Sequence, residues 1–415
     1  MLSLALRLGW RNLWRNGKRT AITAAAIAFG TFVMIASGAL MLGLVRQWVD
    51  NATNLATGEA QLHAPRYLAE RSFYQTLPDA AGALRAAAAA SVPAAARAYG
   101  FGLVSRGSKS AGASFWGVDP AVERATFDLP RQLQRGSYLP DLPAGPAPEG
   151  ARPLVLGAKL ARSLDAEVGA EIIAVVQAGD GSLGNELFRV VGVLKTAGET
   201  IDRSAAIVRR DDFALLFAAP GVVHEVAFHS RGRIPPEQLA GRLGDAALAG
   251  GELRTWRQLL PMLSDLEQVT TSALVVMGLI FFLAAGLGVL NTMLMATYER
   301  IREFGVQKAL GTTPGRILLD VATEAWLLGG LASVPGGLLG TLLAAYLQAH
   351  GLDMSRFASS FSASGVAIDP VWQASLSGPV VVVPVLAMWG VTVLAALYPA
   401  FKAARIQAVR AMAHH

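Results

Sequence analysis

Residues 290–317 read LNTMLMATYERIREFGVQKALGTTPGRI, and this stretch straddles a boundary. Behind it, 268–298 carries no charged residue at all. Then Glu299 and Arg300 open a dense cluster, ERIREFGVQKALG, closed by Thr-Thr-Pro-Gly. From Ala325 the chain is apolar again. About 20 apolar residues suffice to cross a bilayer. The pattern therefore predicts a short charged helix held at a membrane surface between two spans.

Working outward, four runs are long and bare enough to span: Ile22–Val45, Val269–Tyr298, Ala325–Ala349 and Val371–Phe401. The first would be about 36 Å long as a helix, enough for the hydrocarbon core with some tilt. The whole chain of 415 residues is 53% hydrophobic and only 16% charged, too little charge for a soluble protein of this size. Basic residues cluster ahead of the first span (Arg7, Arg11, Arg15, Lys18, Arg19), between the second and third (Arg300, Arg302, Lys308, Arg316) and after the fourth (Lys402, Arg405, Arg410). The loop between the third and fourth offers only Arg356. The positive-inside rule then places both termini and the charged insert in the cytoplasm. The net charge of +6 reads as a topology signal with anionic-lipid contact, and requires no nucleic acid. Ile22–Val45 is longer than the apolar core of a signal peptide and is expected to remain as an uncleaved span.

The expected order is a cytoplasmic amphipathic helix (1–20), a first span (21–45), an extracytoplasmic α/β domain with stalks (46–267) and a second span (268–298). A charged cytoplasmic helix (299–318), a third span (319–349), a short outer loop (350–370), a fourth span (371–401) and a cytoplasmic tail (402–415) follow. The fold class is an α-helical membrane protein with four transmembrane helices and a large α/β domain between the first and second. Leu2, Leu4, Leu6, Leu8, Trp10, Leu13 and Trp14 interleave with basic residues in the leader, as an interfacial helix requires.

Within the inserted domain, strands are expected at Gly58–His63, Phe101–Ser105, Ser114–Val118, Glu171–Gln177, Leu187–Leu194, Ser204–Val208 and Val222–His229. An alanine-rich helix over Asp79–Ala98, interrupted at Val92-Pro93, and helices at Ala158–Leu164 and Pro235–Leu248 complete it. Pro140–Pro153 reads as a linker. Arg46–Asn54 and Leu253–Glu267 read as helical stalks. The joint Ala178–Glu186, AGDGSLGNE, reads as a hairpin loop able to protrude. The absence of cysteine removes disulfides from the account.

Enzymatic chemistry finds little support. No GxxxxGK[ST] phosphate loop and no GxSxG elbow occurs. His224 and His229, five apart on a strand, point to opposite faces and make a poor metal pair. His63 and His350 stand alone, His414 and His415 read as the start of a tag, and Asp202-Arg203 and Asp211-Asp212 read as surface charge. In the spans, Ala284 with Gly288, and Gly329, Ser333 and Gly337 with Gly336 and Gly340, make small-xxx-small faces. These serve either intrachain packing or a subunit interface. Glu324, just ahead of the third apolar run, is placed to pair with Arg300 or Arg316.

NTMLMATYERIREFGVQKALGTTPGRI, with Glu324 after it, resembles the signature of the FtsX-like permeases of ABC transporters, which include lipoprotein-releasing (Lol-type) and macrolide-exporter (MacB-type) members. LGWRNLWRNGKRTAIT (8–23) and YPAFKAARIQAVRAM (398–412) are similar to the family's two ends. FWGVDP, RGSYL, LVLGAKLARSLDAEVG and FRVVGVLKTAGETIDRSAAIV are similar to its periplasmic region. Gln407-Ala408 stands where the family often has Asp-Pro. MacB carries a fused ATPase domain; none is present in this sequence, so the resemblance implies a stand-alone permease of the Lol-type branch in a bacterial inner membrane.

The resemblance also implies roles. The helix around 302–310 becomes a coupling helix seated in a separate ATPase, of which two copies are expected. Glu299, Arg300, Arg302, Glu303, Phe304 and Lys308 supply contacts or hold the helix to the span ends. Gly305 and Gly311 permit close approach and end the helix. No cofactor is bound by this chain; ATP and Mg belong to the ATPase. A second permease, identical or related, a periplasmic carrier or adaptor and membrane lipids are the remaining expected partners. Phe29, Phe32, Met41, Phe281 and Phe282 either line an acyl cavity or face lipid. Gly179, Asp180, Gly181, Ser182 and Leu183 form the tip of a candidate hook. The expected activity is mechanotransmission: ATP hydrolysis drives extraction or export of a lipoprotein or other amphiphile. The alternatives are an FtsX-type signalling permease controlling a hydrolase, or MacB-like efflux of peptides or drugs.

Overall fold

A computed structural model describes residues 2–141, 150–195, 198–244, 248, 250–355, 361–363, 366–368 and 371–406. Arg356, Gln407, Ala408, Arg410, His414, His415 and most of the Pro/Gly linker lie outside the described residues. The chain divides into two compact units, one of 1–46, 267–354 and 371–415, the other of 47–266 and 355–370.

The first unit is built from four helices long and apolar enough to cross a membrane. They run Gly17–Ala52, Pro261–Glu299, Pro314–His350 and Gly378–Arg405. A leading helix, Leu2–Arg15, precedes them, and the short charged helix Ile301–Ala309 joins the second to the third. Val371–Ser377, expected as helix, is not helical. Val371 and Trp372 pair with Asp353 and Leu352, and the fourth helix begins only at Gly378, with Pro379 in its first turn.

Glycine decides how these helices meet. One face of the third helix, Gly329 and Gly337, lies against the fourth: a Cβ at Gly329 would sit 2.7 Å from Trp389, and one at Gly337 2.6 Å from Val385. The other face, Gly336 and Gly340, lies against the first. There a Cβ at Gly336 would strike the Ala28 carbonyl oxygen, and one at Gly340 would come within 3.0 Å of Ile35 and the Phe32 carbonyl. In lipid no hydrophobic force draws helices together, so this closeness supplies the dispersion that holds them. Trp389 adds a hydrogen bond from its indole N–H to the Trp326 carbonyl at 2.9 Å. Gly288 differs from the rest: a Cβ there would meet nothing within 4 Å, so it packs no helix of this chain.

The second unit combines two sheets through one long strand. Its strands are β1 (Ala60–His63), β2 (Ala94–Arg106), β3 (Lys109–Val118), β4 (Leu133–Gly136), β5 (Arg152–Leu156), β6 (Glu171–Gln177), β7 (Leu183–Leu194), β8 (Ala205–Arg209), β9 (Glu225–Phe228) and β10 (Glu252–Thr255). β10, β1, β9 and the start of β2 form an antiparallel sheet in that order. Helix Ala80–Ala89 lies between β1 and β2, and helix Pro236–Leu243 between β9 and β10, which is a split βαβ arrangement. Both pack on one apolar core with Leu62, Val226 and Phe228. The rest of β2 leaves this sheet. The pairings β2–β3, β3–β8, β8–β5, β5–β7, β7–β6 and β6–β2 close on themselves as a six-stranded barrel. Its interior holds Val104, Phe115, Leu154, Ile172, Val176, Phe188 and Val190, with Phe213 and Phe217 from the helix after β8.

Several sequence expectations fail here for a common reason. Ala94–Ala98 is strand, not helix. Pro93 stops the alanine helix, Ser91 turns the chain at φ 56°, and the ladder to β9 outweighs alanine's helix preference. Leu253–Thr255, expected in a stalk helix, is β10, held to β1; helix resumes at Trp256. Asp202 and Asp212 are buried rather than surface charges, Asp212 bonding Arg152 at 2.8 Å.

His63 does not stand alone. Tyr67 stacks between His63 and His224, with centroids 5.3 and 5.4 Å away. His224 Nδ1 accepts from the Tyr99 backbone N–H at 2.9 Å, so its proton is on Nε2, donated to the Phe73 carbonyl at 2.7 Å. A second proton would place two donors face to face. Burial lowers the pKa of His63, His224 and His229. Among the described residues no group of three or more His, Asp or Glu is placed to hold a metal.

Two expectations follow from this architecture. Gly336→Val should lower the thermal midpoint of the solubilised monomer, an overpacking cost of about 1–3 kcal/mol, whereas Gly288→Val, which meets nothing within the chain, should leave the monomer's midpoint unchanged. Below pH about 6.5 the unfolded chain takes up protons that the three folded histidines refuse, so stability must fall with pH. The midpoint of the inserted domain should drop between pH 7.5 and 5.5, before carboxylates titrate; a flat profile would contradict neutral, buried imidazoles.

Candidate functional site

The short charged helix is fixed on three sides. Its own sequence alternates faces at helical spacing: Phe304 and Gly305 are buried, while Arg302, Val306, Ala309 and Leu310 are exposed. Phe304 inserts into the core shared by Ile317, Val321, Met293 and Ala403. Arg300 lies over the Phe304 ring at 5.1 Å and bonds Glu324 Oε2 at 3.0 Å, with only 14% and 8% of the two side chains exposed. Glu324 therefore pairs with Arg300, while Arg316 takes Asp320 one helical turn on.

The leading helix holds a second side. Arg15 bonds Glu303 at 2.6 Å, and Glu299 accepts from Asn16 at 2.7 Å and Arg19 at 3.1 Å. Arg15 and Arg19 are four apart, as are Glu299 and Glu303, so the spacing matches across the junction. The third side belongs to Lys308. Its ammonium donates to the carbonyls of Ala404 and Ile406, at 2.5 and 2.7 Å, at the C-terminal end of the fourth helix. Those carbonyls lack intrahelical partners and carry the negative end of the helix dipole. Gly311, at φ 92°, ends the helix, with Thr312 N–H returning to the Gln307 carbonyl at 3.0 Å.

Of the residues named from sequence, Glu299, Arg300, Glu303, Phe304, Gly305 and Lys308 are thus turned inward or tied to neighbours. Arg302 and Gly311 lie on the open side, joined by Val306 and by Leu310, which is 83% exposed. Sequence reading missed Arg15, Asn16 and Arg19 as partners, and missed Val306 and Leu310. The matched four-residue spacing was the available signal for the first group.

Of the other candidates, Phe29 and Phe32 meet on one helix with ring centroids 6.3 Å apart, and the rest are scattered. Phe29 and Met41, both exposed, are twelve residues apart on one helix, about 18 Å. Phe281 and Phe282 instead pack against the common core of the bundle. The hairpin candidate is shorter than the nine-residue loop expected. Leu183–Glu186 is already strand, with Gln177 opposite Leu183 and Val176 opposite Gly184. What remains is a tight turn: Gly179 N–H bonds the Phe217 carbonyl at 2.8 Å, and Asp180 accepts from the Ser182 hydroxyl at 2.6 Å. Gly181 supplies the positive φ of 84°. That bonding holds the exposed Asp180 carboxyl below its ordinary pKa.

The three-sided clasp predicts which substitutions cost stability. Lys308→Met leaves two carbonyls at the end of the fourth helix without their donor, and should cost about 1–3 kcal/mol, read as a lower unfolding midpoint. Arg302→Met, on the open side, should leave the midpoint unchanged.

Comparison with known proteins bears on this arrangement. The family model for an FtsX-like permease C-terminal domain matches residues 275–408, and that for a MacB-like periplasmic core domain matches residues 20–244, more than half of the chain. Among curated proteins, the pyoverdine export ATP-binding/permease protein PvdT of Pseudomonas entomophila (strain L48) is 27% identical over 389 residues, 86% of this chain and 54% of that protein. The macrolide export ATP-binding/permease protein MacB of Marinobacter nauticus is 34% identical over 91 residues, 22% of this chain and 14% of that one. The chain thus spans about half the length of the PvdT proteins it matches. A crystal structure of the periplasmic region of MacB from Actinobacillus actinomycetemcomitans aligns over 50% of this chain and 94% of that one, at 14% identity and a TM-score of 0.36. With a MacB-like core domain inserted ahead of an FtsX-like permease region, the chain belongs to the ABC transporter permeases of the MacB/FtsX type.

Proposed function

We propose that this chain is the membrane subunit of an ATP-driven export machine, and that the short charged helix is where a separate ATPase grips it. One observation carries the reading: the helix is clasped on three sides and leaves Arg302, Val306 and Leu310 open. A helix held this way transmits displacement to three spans at once. An apolar knob flanked by a cation is suited to a groove on a partner. We assign ATP and Mg to that ATPase; no GxxxxGK[ST] phosphate loop occurs in these 415 residues.

The helix then lies in the cytoplasm and the inserted domain on the far side of the inner membrane, as the distribution of Lys and Arg supports. ATP-driven closure shifts the clasped helix, and the continuous helices Gly17–Ala52 and Pro261–Glu299 carry that shift outward. Coupling of this kind requires only that the ATPase bind two conformations of the permease with different affinity. The cargo we propose is a lipoprotein or other amphiphile leaving the outer leaflet. The names of the relatives, pyoverdine export and macrolide export, support export in preference to signalling. A second permease copy completes the assembly, and Gly288 with Ala284, exposed on the second helix, is the surface we propose for it.

Leu310→Asp should reduce co-purification with the ATPase at least tenfold while leaving the thermal midpoint of the permease unchanged. Retained association would overturn the assignment of the open face. ATPase activity of the reconstituted complex should rise with acylated peptide; a rise only with a soluble hydrolase would favour signalling.

A further inference from the structure

The inserted domain contains a cleft of about 650 Å³ that no sequence motif announced. Its lining includes Tyr67, Arg71, Tyr99, Phe101, Trp116 and Leu259. That volume falls among ligand sites of roughly 300–1,000 Å³, suited to a single apolar chain with a small headgroup. The polar groups are unequal in kind. Glu225, the one carboxylate in the lining among the described residues, is already engaged: its Oε1 accepts from Arg97 at 3.0 Å and from the Tyr99 hydroxyl at 3.0 Å. Arg97 in turn is fully buried and bonded to Glu123 at 2.6 Å. The floor is therefore closed electrostatically. Arg71, by contrast, is exposed at the rim, its guanidinium 5.8 Å from the Tyr67 ring, and Ser114 and Thr200 add hydroxyl donors.

A second observation concerns the outside of the barrel. Residues of β2, β6 and β7 alternate, and the outward set should be polar in a domain bathed by water. Instead Phe101, Leu103, Ile173 and Leu187 are all more than 40% exposed. The register makes them neighbours: Leu103 is opposite Val175, Ser105 opposite Ile173, and Ile173 opposite Leu187. Phe101 belongs both to this patch and to the cleft. Contiguous exposed apolar surface of this sort marks a place where something apolar is received.

We propose that the cleft binds an anionic amphiphile, its headgroup at Arg71 and its apolar chain against Tyr99, Phe101 and Trp116, with the exposed barrel face as the path along which the chain arrives. Donors without a spare carboxylate select an acidic headgroup and disfavour a cationic one. The apolar patch accounts for how a chain insoluble in water reaches a site in a soluble domain. Binding at this cleft stands independently of the coupling to ATP proposed above.

The test uses the full chain in nanodiscs of zwitterionic lipid, with a diazirine-bearing palmitate and a trimethylammonium probe of the same tail. Labelling is read in peptides covering 99–116, which lie outside the long apolar helices. The palmitate probe should label these peptides at least fivefold more than the cationic one, and excess palmitate should compete. Arg71→Glu, an exposed substitution that leaves the barrel core untouched, should cut labelling at least fivefold, and Ser114→Trp should block it. Equal labelling by both probes, labelling indifferent to Arg71→Glu, or none in 99–116 would overturn the proposal. Palmitate that binds here yet leaves ATP hydrolysis unchanged would count against the transport reading alone.

Discussion

The bond between Arg300 and Glu324 holds the membrane unit to its design. Both side chains are nearly buried at the end of an apolar bundle, where an unpaired charge would cost several kcal/mol. The pair is therefore worth little as a gain and much as a constraint: neither residue can leave without stranding the other. Because Arg300 also covers Phe304 and reaches Glu303 at 3.4 Å, the constraint passes directly into the short charged helix. Around it, alternate charges from Arg15 through Glu303, Arg300 and Glu324 form one connected series. Single exposed pairs are worth under about 1 kcal/mol, but a series anchored on a buried member resists piecemeal loss.

Glycine supplies the complementary constraint inside the spans. Gly336 and Gly340 seat the third helix on the first, while Gly329 and Gly337 seat it on the fourth. The third helix is thus locked on two faces, and it carries Glu324. The charged helix is tied to the third helix through Glu324 and to the fourth through Lys308. That linkage is what the proposed force transmission would draw on. It arises here from packing and from one buried ion pair.

Much of this was legible in the amino-acid order. Uncharged runs announced four spans, the charge cluster at 299–308 announced a helix at their edge, and glycine spacing announced faces of close approach. Interactions local in sequence, such as β6 and the helix after β5, were legible too. What escaped reading depends on distant partners. Ala94–Ala98 looks helical until β9, some 130 residues later, offers it a ladder. The barrel closes only because β6 reaches back to β2, and Asp202 and Asp212 look like surface charges until the elements around them assemble. In the charged helix, residue types suggested contacts but not their direction. Lys308, read as either a contact or a brace, is a brace, and the exposed Leu310 drew no notice because a lone leucine carries no motif.

The inserted domain shows the same economy in another medium. Its buried ions close on one another, so that at the cleft Arg71 and apolar side chains remain for a ligand to meet. The chain contains no cysteine, which makes its central claim open to a direct trial. Arg15→Cys combined with Glu303→Cys places two thiols where the leading helix meets the charged one. A short bis-maleimide, whose spacer restores the reach of the two lost side chains, should bridge them in the resting protein. Two thiols that each take up a maleimide yet are never bridged would show that the charged helix is not clasped by the leading one.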